Sequence, residues 1–306
     1  MCIRDSNWPT DDWIGDLDRV QTVWTLTINT IEVKPFEWFM PELPEVETVR
    51  TGLAGSWVGK RIDGVDLRRE NLRFPFPEGL TERLTGRTVT GIRRRAKYLL
   101  IDLDNGDVLL SHLGMSGKWT LDASECEGKH DHVVILFDDG SMSVYNDPRR
   151  FGVLDIFSGT SHKLLDHLGP EPLEDWTADD LYAKLQKRKS AIKICILDQK
   201  VVVGVGNIYA CEALNRSKIS PTRMANKVKK KECELLVKEI KSILAEAIQV
   251  GGSSLRDFAG VDGTLGYFIH QFKVYDKEGE ECQCGGTIER LVQGGRSTFW
   301  CKSCQK

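Results

Sequence analysis

The sequence lacks any long apolar segment. None of its apolar runs approaches the 18 or more residues that a membrane-spanning helix requires, and the chain does not begin with the charged-then-apolar pattern of a signal peptide. Its 306 residues, 41% hydrophobic and 28% charged, have the composition of a soluble globular protein with enough length for two domains. We therefore expect no membrane among its partners.

The sequence also lacks a regular cysteine framework. Most of its nine cysteines are scattered, which suits a reducing cytoplasm better than a disulfide-stabilised secreted protein. The exception is the C-terminus, where Cys282 and Cys284 form one pair and Cys301 and Cys304 form another, with sixteen residues between the pairs. Two such pairs predict one structural Zn²⁺ ion with four thiolate ligands.

Positive charge is not in excess either, since the formal net charge is −3. Residues 1–39 hold three basic and seven acidic residues, a net charge of −4, which leaves +1 for the remainder. An anionic partner would therefore have to be met by local basic patches and not by the overall charge.

The stretch around which the chain is organised is residues 40–50, Met-Pro-Glu-Leu-Pro-Glu-Val-Glu-Thr-Val-Arg. Pro44 suits the first turn of a helix, where its missing N–H costs nothing, and acidic residues in that turn favour the helix dipole. Four apolar residues recur at helical spacing and define one face of the predicted helix: Val46, Val49, Leu53 and Trp57.

The two residues in front of this helix could act as a nucleophile and a proton-transfer group. If Pro41 were the first residue, its secondary amine would have a pKa near 8 and would be a usable nucleophile at neutral pH. Glu42 would then be placed to transfer protons. The alternative is that these residues are an ordinary lead-in to the helix, and residues 40–50 alone do not decide between the two.

Six motifs occur along the chain in a fixed order. They are residues 40–48, residues 94–100 (Arg-Arg-Ala-Lys-Tyr-Leu-Leu), residues 112–117 (His-Leu-Gly-Met-Ser-Gly), residues 147–152 (Asp-Pro-Arg-Arg-Phe-Gly), residues 204–210 (Gly-Val-Gly-Asn-Ile-Tyr-Ala) and the cysteine-rich C-terminus. With these motifs the chain from residue 40 to residue 306 resembles the bacterial formamidopyrimidine-DNA glycosylase family, whose members repair oxidised purines. Six motifs in the family's order are far more specific than any one of them.

The resemblance and the hydrophobic pattern together predict an α+β multidomain fold. Residues 40–170 are expected to form a catalytic antiparallel β-sandwich with flanking helices, residues 171–267 a helix–two-turns–helix domain that binds DNA, and residues 268–306 a zinc-finger hairpin. Period-two runs predict strands at residues 62–67, 88–92, 98–103, 108–110, 132–137 and 143–145. Helices are predicted at residues 178–187, 190–199, 208–216 and 230–249, and a hairpin within residues 287–300.

Residues 1–39 have no counterpart in the resemblance. They contain four of the eight tryptophans and a plausible strand between residues 20 and 33. We expect this segment to be upstream sequence read in frame, with Met40 as the true start; the alternative is a genuine small extension. The difference matters chemically, because with residues 1–39 attached the nitrogen of Pro41 is a tertiary amide that cannot attack a substrate.

For catalysis, the resemblance implies four residues. Pro41 would be the nucleophile and Glu42 the proton donor, Lys97 would contact phosphate and assist elimination, and Arg296 would grip the phosphates beside the lesion. Judged locally, Lys97 ends a basic run that is more typical of a solvated strand edge, and Arg296 would be an exposed residue at the tip of a hairpin.

Six further residues are implied as DNA-binding. Met115, Arg149 and Phe151 would fill the gap that a flipped nucleotide leaves, since an apolar wedge and an arginine suit that role. The remaining three are His130, Lys189 and Asn207. Simpler structural interpretations also exist: His130 can pair with Asp131, Lys189 can belong to a solvated face, and Asn207 can cap a helix whose N-terminus suits phosphate.

The zinc site departs from the family in one respect. The family pattern is two Cys-x-x-Cys pairs, whereas the first pair here is Cys282-Gln283-Cys284, one residue shorter. A Cys-x-Cys pair can still chelate a metal, but with a different turn, so the zinc affinity is open at this stage.

The function implied by the resemblance is that of a bifunctional DNA glycosylase and AP lyase. It would act as a monomer in the bacterial cytoplasm, at the nucleoid, on double-stranded DNA with an oxidised purine or an abasic site, and zinc would be its one cofactor. Two alternatives remain: an endonuclease VIII-like glycosylase for oxidised pyrimidines, and a non-catalytic protein that binds damaged DNA.

Overall fold

A computed structural model describes residues 40–123, 128–253, 260–263 and 265–306 of the chain. The predicted strand between residues 20 and 33 lies outside these residues. The described helices and strands follow in this order: α1 (Leu43–Trp57), β1 (Ile62–Leu67), α2 (Leu80–Leu84), β2 (Val89–Arg95), β3 (Tyr98–Leu103), β4 (Asp107–His112), β5 (Lys118–Thr120), β6 (Asp131–Phe137), β7 (Met142–Asn146), β8 (Val153–Ser158), α3 (Ala178–Gln186), α4 (Ile192–Ile196), α5 (Asn207–Arg216), α6 (Lys230–Gln249), β9 (Ile288–Gln293) and β10 (Arg296–Cys301).

The first eight strands form two antiparallel sheets with strand orders β1-β6-β7-β5 and β2-β3-β4-β8. Apolar side chains from both sheets join the predicted face of α1 in one hydrophobic cluster. Trp57, fully buried in this cluster, donates from Nε1 to Ser143 Oγ at 2.9 Å, so its polar atom is satisfied. The predicted antiparallel β-sandwich with a flanking helix is therefore confirmed.

Two of the observed strands, β5 and β8, were not predicted from the sequence. Strand β5 has three residues, which is too few for a period to be recognised. Strand β8 follows directly on the motif at residues 147–152 and pairs with β4 along its full length. Its pairing completes the second sheet.

The helices form a second hydrophobic cluster, which also includes apolar residues of the C-terminal hairpin. Predicted helix 230–249 has the observed bounds, but predicted helix 190–199 is reduced to the five residues of α4. The reason is that Ile192 N donates to Arg223 O at 2.7 Å and Ala191 forms an isolated bridge with Met224, which holds the chain extended before α4. Among the described helices, none combines the length and apolar composition needed to cross a membrane.

The hairpin of β9 and β10 turns at Gly294 and Gly295, as predicted. Both glycines have positive φ angles, 56° and 72°, which a glycine adopts without strain. The segment leading to the hairpin is attached to α5, because the buried carboxylate of Glu212 accepts three backbone N–H bonds of 2.8–2.9 Å, from Lys273, Val274 and Tyr275.

A buried carboxylate joins the sandwich to the segment that leads into the helices. Glu171 accepts hydrogen bonds from Arg94 Nη1 and Arg95 Nη1, both at 2.7 Å, and from Ala96 N at 2.6 Å. The expectation of a solvated basic edge is therefore wrong for these two arginines, because their guanidinium groups are used internally. Burial raises the pKa of Glu171, but Arg94 and the other donors outweigh it, so its pKa is lowered overall.

Replacing Glu171 by glutamine should lower the free energy of unfolding by about 3 kcal/mol, because Arg95 loses its counter-charge and Arg94 keeps only Glu47, at 2.9 Å. The pKa of Glu171 is lower in the folded protein than in the unfolded chain, where it is near 4.5. The contribution of Glu171 to stability is therefore present above pH 4.5 and is lost as the pH falls through the folded-state pKa. Urea unfolding of E171Q and the parent at several pH values would check this. A difference that stays the same down to the acid end would contradict it.

Candidate active site

The carboxylate of Glu42 lies on the N-terminus of α5. Its Oε2 accepts a hydrogen bond from Gly206 N at 2.8 Å, and its Oε1 accepts one from Ile208 N at 3.1 Å. Pro41 and Glu42 are both buried. The anion-binding character of the helix N-terminus, predicted for residues 204–207, is thus used here by a side chain of the protein itself.

Gly206 is required for this contact. A Cβ atom added at position 206 would lie 2.1 Å from Cδ of Glu42, a distance that no packed atom pair tolerates. Gly204 supports the same approach, because Leu43 N donates to its carbonyl at 3.2 Å and a Cβ there would collide with the Leu43 side chain. The two glycines therefore let residues 42 and 43 sit against the start of α5.

The family resemblance implies that Glu42 is the proton donor for base release. On that expectation, substituting Gly206 by alanine should displace the Glu42 carboxylate and reduce base release by about 10²-fold, the usual contribution of one positioned proton donor. The fold should persist, because the φ angle at position 206 is −114°, which alanine adopts freely. Single-turnover base release with a thermal melt as control would check this. Unchanged base release in folded G206A would contradict it.

Lys97 is close enough to Glu42 for their charges to interact. It follows Ala96, whose φ of 53° makes the tight turn between β2 and β3. Burial lowers the pKa of Lys97; the carboxylate of Glu42 counteracts this effect, and Arg296 adds to it. Burial raises the pKa of Glu42, and Lys97 and the N–H donors of α5 partly offset that rise. Arg296 itself is exposed at the first position of β10.

Glu45 is a buried member of the site that sequence reasoning treated only as a first-turn acid. Its Oε2 accepts from Glu42 N at 2.9 Å, and its Oε1 accepts from Tyr209 Oη at 2.7 Å and Ser253 N at 2.8 Å. Burial and the neighbouring Glu42 raise the pKa of Glu45 to about 7. The signal that could have found it is the Glu-x-x-Glu spacing, because three residues is the reach of a capping box.

Lys193 is a second residue that the sequence did not reveal. It is fully buried in α4, and its ammonium donates to Asn207 Oδ1 at 2.6 Å, Thr298 Oγ1 at 2.7 Å and Ser297 O at 3.0 Å. Asn207 Nδ2 also donates to Ser297 O, at 2.9 Å. The prediction that Asn207 caps its helix is wrong: Gly206 is the N-cap, and the Asn207 side chain binds Lys193 and β10 instead.

Met115, Arg149 and Phe151 lie on two loops that are in contact. A Cβ at Gly114, before Met115, would lie 2.4 Å from the carbonyl carbon of Phe151, and Arg149 N donates to Ser116 Oγ at 3.2 Å. The guanidinium of Arg149 lies 5.0 Å from the ring centroid of Phe151. Phe151 is 42% exposed, so the sequence-predicted wedge residues are together and Phe151 is open to solvent.

The two loops are held by the buried Asp147. Its carboxylate accepts hydrogen bonds from Ser116 Oγ at 2.5 Å and from Gly152 N at 2.8 Å, one from each loop. Nearby, Nδ1 of His112 accepts from Gly114 N at 3.0 Å. Burial, Lys97 and Arg73 lower the pKa of His112 to about 4, so its imidazole is neutral near pH 7 with its proton on Nε2.

The other two predicted contacts lie in different places: His130 is between these loops in the chain and its carbonyl accepts from Asp147 N at 3.0 Å, whereas Lys189 is in the helical part. His130 is partly buried, with its ring centroid 6.2 Å from that of His132. The carboxylate of Asp131 accepts from Asn146 Nδ2 at 2.7 Å and Gly128 N at 2.9 Å. Lys189 is exposed between α3 and α4.

The four C-terminal cysteines form one cluster with all sulfur atoms within 4.8 Å of one another. The Cys282 and Cys304 sulfurs are 3.9 Å apart, and the Cys284 and Cys301 sulfurs are 3.5 Å apart. Zn–S bonds of about 2.3 Å in a tetrahedron require sulfurs roughly 3.8 Å apart. The shortened first pair therefore still presents four thiols that could bind one zinc ion.

The fold and the site together define a class of protein: a β-sandwich whose N-terminal helix brings a Pro-Glu pair onto a helix–two-turns–helix unit, with a four-cysteine hairpin. Three family models match the chain. They are the formamidopyrimidine-DNA glycosylase N-terminal domain at residues 40–154, its H2TH domain at residues 168–259, and the zinc finger found in FPG and IleRS at residues 279–306.

Individual proteins agree with the family models. Formamidopyrimidine-DNA glycosylases of Rhizorhabdus wittichii and Rhizobium etli are 51% and 49% identical to the chain, and each alignment covers 87% of the chain and 100% of the relative. A Lactococcus lactis FPG mutant bound to Fapy-dG DNA, and MutM bound to carbocyclic 8-oxo-G DNA, match at TM-score 0.80 and 36% identity over 87% of the chain and 100% of each structure. The chain belongs to the formamidopyrimidine-DNA glycosylase family.

Proposed function

We propose that the chain excises oxidised purines, such as 8-oxoguanine and formamidopyrimidines, from double-stranded DNA and then cuts the strand at the resulting abasic site. The observation that carries this is the seating of the Glu42 carboxylate on the start of α5, next in the chain to the buried Pro41 and within charge interaction of Lys97. The solved relatives contain Fapy-dG, carbocyclic 8-oxo-G or abasic-site DNA, which supports the substrate class.

The proposed reaction begins with the amine of Pro41, once it is the N-terminal residue. Its lone pair attacks C1′ of the flipped nucleotide, and the bond from C1′ to the base breaks. The base takes up the proton that the proline nitrogen loses. Glu42 protonates the ring oxygen O4′, so that the C1′–O4′ bond opens and an iminium between Pro41 and C1′ remains. The iminium acidifies the hydrogens on C2′, and successive β- and δ-eliminations release the phosphates on both sides. Lys97 and Arg296 are assigned to the phosphates, where their positive charges stabilise the departing groups.

The six residues outside the catalytic set are assigned to DNA binding. Met115, Arg149 and Phe151 fill the gap left by the flipped nucleotide, because their two loops are joined and Phe151 is exposed. His130, Lys189 and Asn207 are proposed contacts with the DNA.

The four cysteines are assigned to one zinc ion, which shapes the hairpin that carries Arg296 and takes no part in the chemistry. The same proposal includes domain boundaries at residues 170 and 267. It also includes that the protein acts as a monomer in the bacterial cytoplasm, at the nucleoid. The bacterial relatives support the location.

The decisive experiment is borohydride trapping on an 8-oxoguanine duplex, with the intact mass of the protein measured. A chain that begins at Pro41 should form a covalent adduct, whereas one that retains residues 1–39 should form none, because its Pro41 nitrogen is an amide. Absence of an adduct from the chain that begins at Pro41 would refute the Schiff-base mechanism. Release of thymine glycol many times faster than 8-oxoguanine would instead identify an oxidised-pyrimidine enzyme.

A further inference from the structure

Four exposed lysines lie on two segments at the edge of the helical part. Lys187 and Lys189 follow the end of α3, and Lys227 and Lys229 precede the start of α6. We call these four residues the lysine cluster. The sequence motifs and the proposed reaction use only Lys189 of the four.

Backbone hydrogen bonds hold the two segments side by side. Asn226 N donates to Arg188 O at 3.2 Å, and Ala225 N donates to Ser190 O at 2.9 Å. Each bond joins residues that lie one or two positions from members of the cluster, so the positive charges are brought together by the backbone. The cluster is therefore a fixed feature of the fold.

The nearby carboxylates do not neutralise the cluster, because other cations hold them. Three ion pairs at 2.5–2.8 Å account for them: Arg188–Asp198, Arg223–Glu232 and Lys230–Asp179. In residues 40–123, 128–253, 260–263 and 265–306, no carboxylate oxygen lies within 4.0 Å of a cluster ammonium group. Lys229 does interact electrostatically with Glu232, which Arg223 binds. Even so, four exposed lysines without an ion pair of their own are a strong local concentration of positive charge for a chain whose residues 40–306 carry a net charge of only +1.

The cluster is continuous with the elements of the active site. Helix α4 begins two residues after Ser190, and its Lys193 binds Asn207. The hairpin turn that precedes Arg296 packs on the same helix, since a Cβ at Gly294 would lie 3.0 Å from Ile194 Cδ1. Helix α4 therefore connects the cluster to Asn207 and to the hairpin that carries Arg296.

We propose that the lysine cluster binds the sugar-phosphate backbone of the duplex arm outside the lesion and so lengthens the footprint on DNA. This rests on the proposed function, because it takes damaged duplex DNA as the partner. A near-neutral protein cannot attract DNA by overall charge and must place its cations locally. Ammonium groups on flexible stems suit phosphate contacts that do not depend on base sequence.

The test compares K227Q/K229Q with K163Q/K238Q, which removes two exposed lysines elsewhere. Binding to a duplex with a tetrahydrofuran abasic-site analogue is measured against salt, at lengths of about one and about three helical turns. For the long duplex, K227Q/K229Q should lower the slope of log K against log salt by about 1.8 and weaken binding about ten-fold or more, because each phosphate contact contributes about 0.9. On the short duplex, and in the control variant, binding should remain that of the parent.

A parental slope in folded K227Q/K229Q would overturn the inference, and so would an equal loss on both duplex lengths. Strand cleavage of a short 8-oxoguanine duplex by the parent chain beginning at Pro41 is measured alongside. If the parent does not cleave this duplex, the proposed function is contradicted. If the parent cleaves it but the salt slope of K227Q/K229Q is unchanged, only the role of the lysine cluster is contradicted.

Discussion

Replacing Glu42 by glutamine, in a chain that begins at Pro41, is expected to reduce release of 8-oxoguanine by about 10²–10⁴-fold. Glutamine cannot donate a proton to the sugar oxygen. Its amide oxygen can accept from one of the two N–H donors at Gly206 and Ile208, but its N–H₂ group is then left facing the other donor. Cleavage at a preformed abasic site should be affected much less, because no base has to leave. Single-turnover assays on the two substrates would measure the difference.

The pH dependence gives a second readout for the same variant. Because burial raises the pKa of Glu42, its protonated, proton-donating form persists to a higher pH than that of an ordinary glutamate. Base release by the parent should therefore fall as the pH rises through that raised value, and this limb should be missing in E42Q. The matched control is E234Q, which changes an exposed glutamate on α6. Base release by folded E42Q at the parental rate would rule out Glu42 as the proton donor.

Replacing Cys301 by serine is expected to abolish binding of zinc and to weaken binding of lesion DNA by about 10²-fold, because a structural zinc ion supplies much of the folding free energy of a small metal-bound segment. Cys301 is fully buried at the end of β10. Disordering this strand would withdraw Arg296 and remove the Ser297 and Thr298 partners of the buried Lys193 ammonium. Zinc content by mass spectrometry and binding to an abasic-site analogue would be measured together.

The control for this variant is C233A, which removes a buried cysteine of α6 that lies outside the metal cluster. It should retain one zinc ion per chain and the parental affinity for DNA. A zinc-free C301S protein that binds lesion DNA as tightly as the parent would contradict the assigned role of the hairpin. Because the first cysteine pair is one residue short, the parent's own zinc content is the first value to obtain.

Much of the local structure was predictable from short-range patterns. The face of α1, the bounds of α6 and the turn at Gly294 and Gly295 each follow from spacing within one segment, because a helix or hairpin is specified by residues a few positions apart. The same holds for the metal cluster, since the sulfurs of two cysteine pairs flanking one hairpin must meet. The sequence did not decide whether the shortened Cys282–Cys284 pair could bind zinc, but its sulfurs lie within 4.8 Å of those of the second pair.

The sequence predicted less well where distant segments compete for the same backbone. Helix α4 is short because the strand-like contact of Ala191 with Met224 removes its first turn. The sequence around Arg94 and Arg95 is typical of a solvated strand edge. In the structure, however, Glu171, more than 70 positions away, is buried and accepts hydrogen bonds from both side chains. Propensity is weak beside such tertiary contacts.

By itself the sequence determined the family, the α+β fold class and the identities of Pro41, Glu42 and Lys97 as candidates, because each of these is carried by a contiguous motif. Only the tertiary structure decided that Glu42 rests on the N-terminus of α5, 164 residues away, and that Lys193 binds Asn207 and β10. A buried charge is stable only where donors and acceptors from separate segments converge on it. That convergence is a property of the packed fold and leaves no periodic signal in the chain.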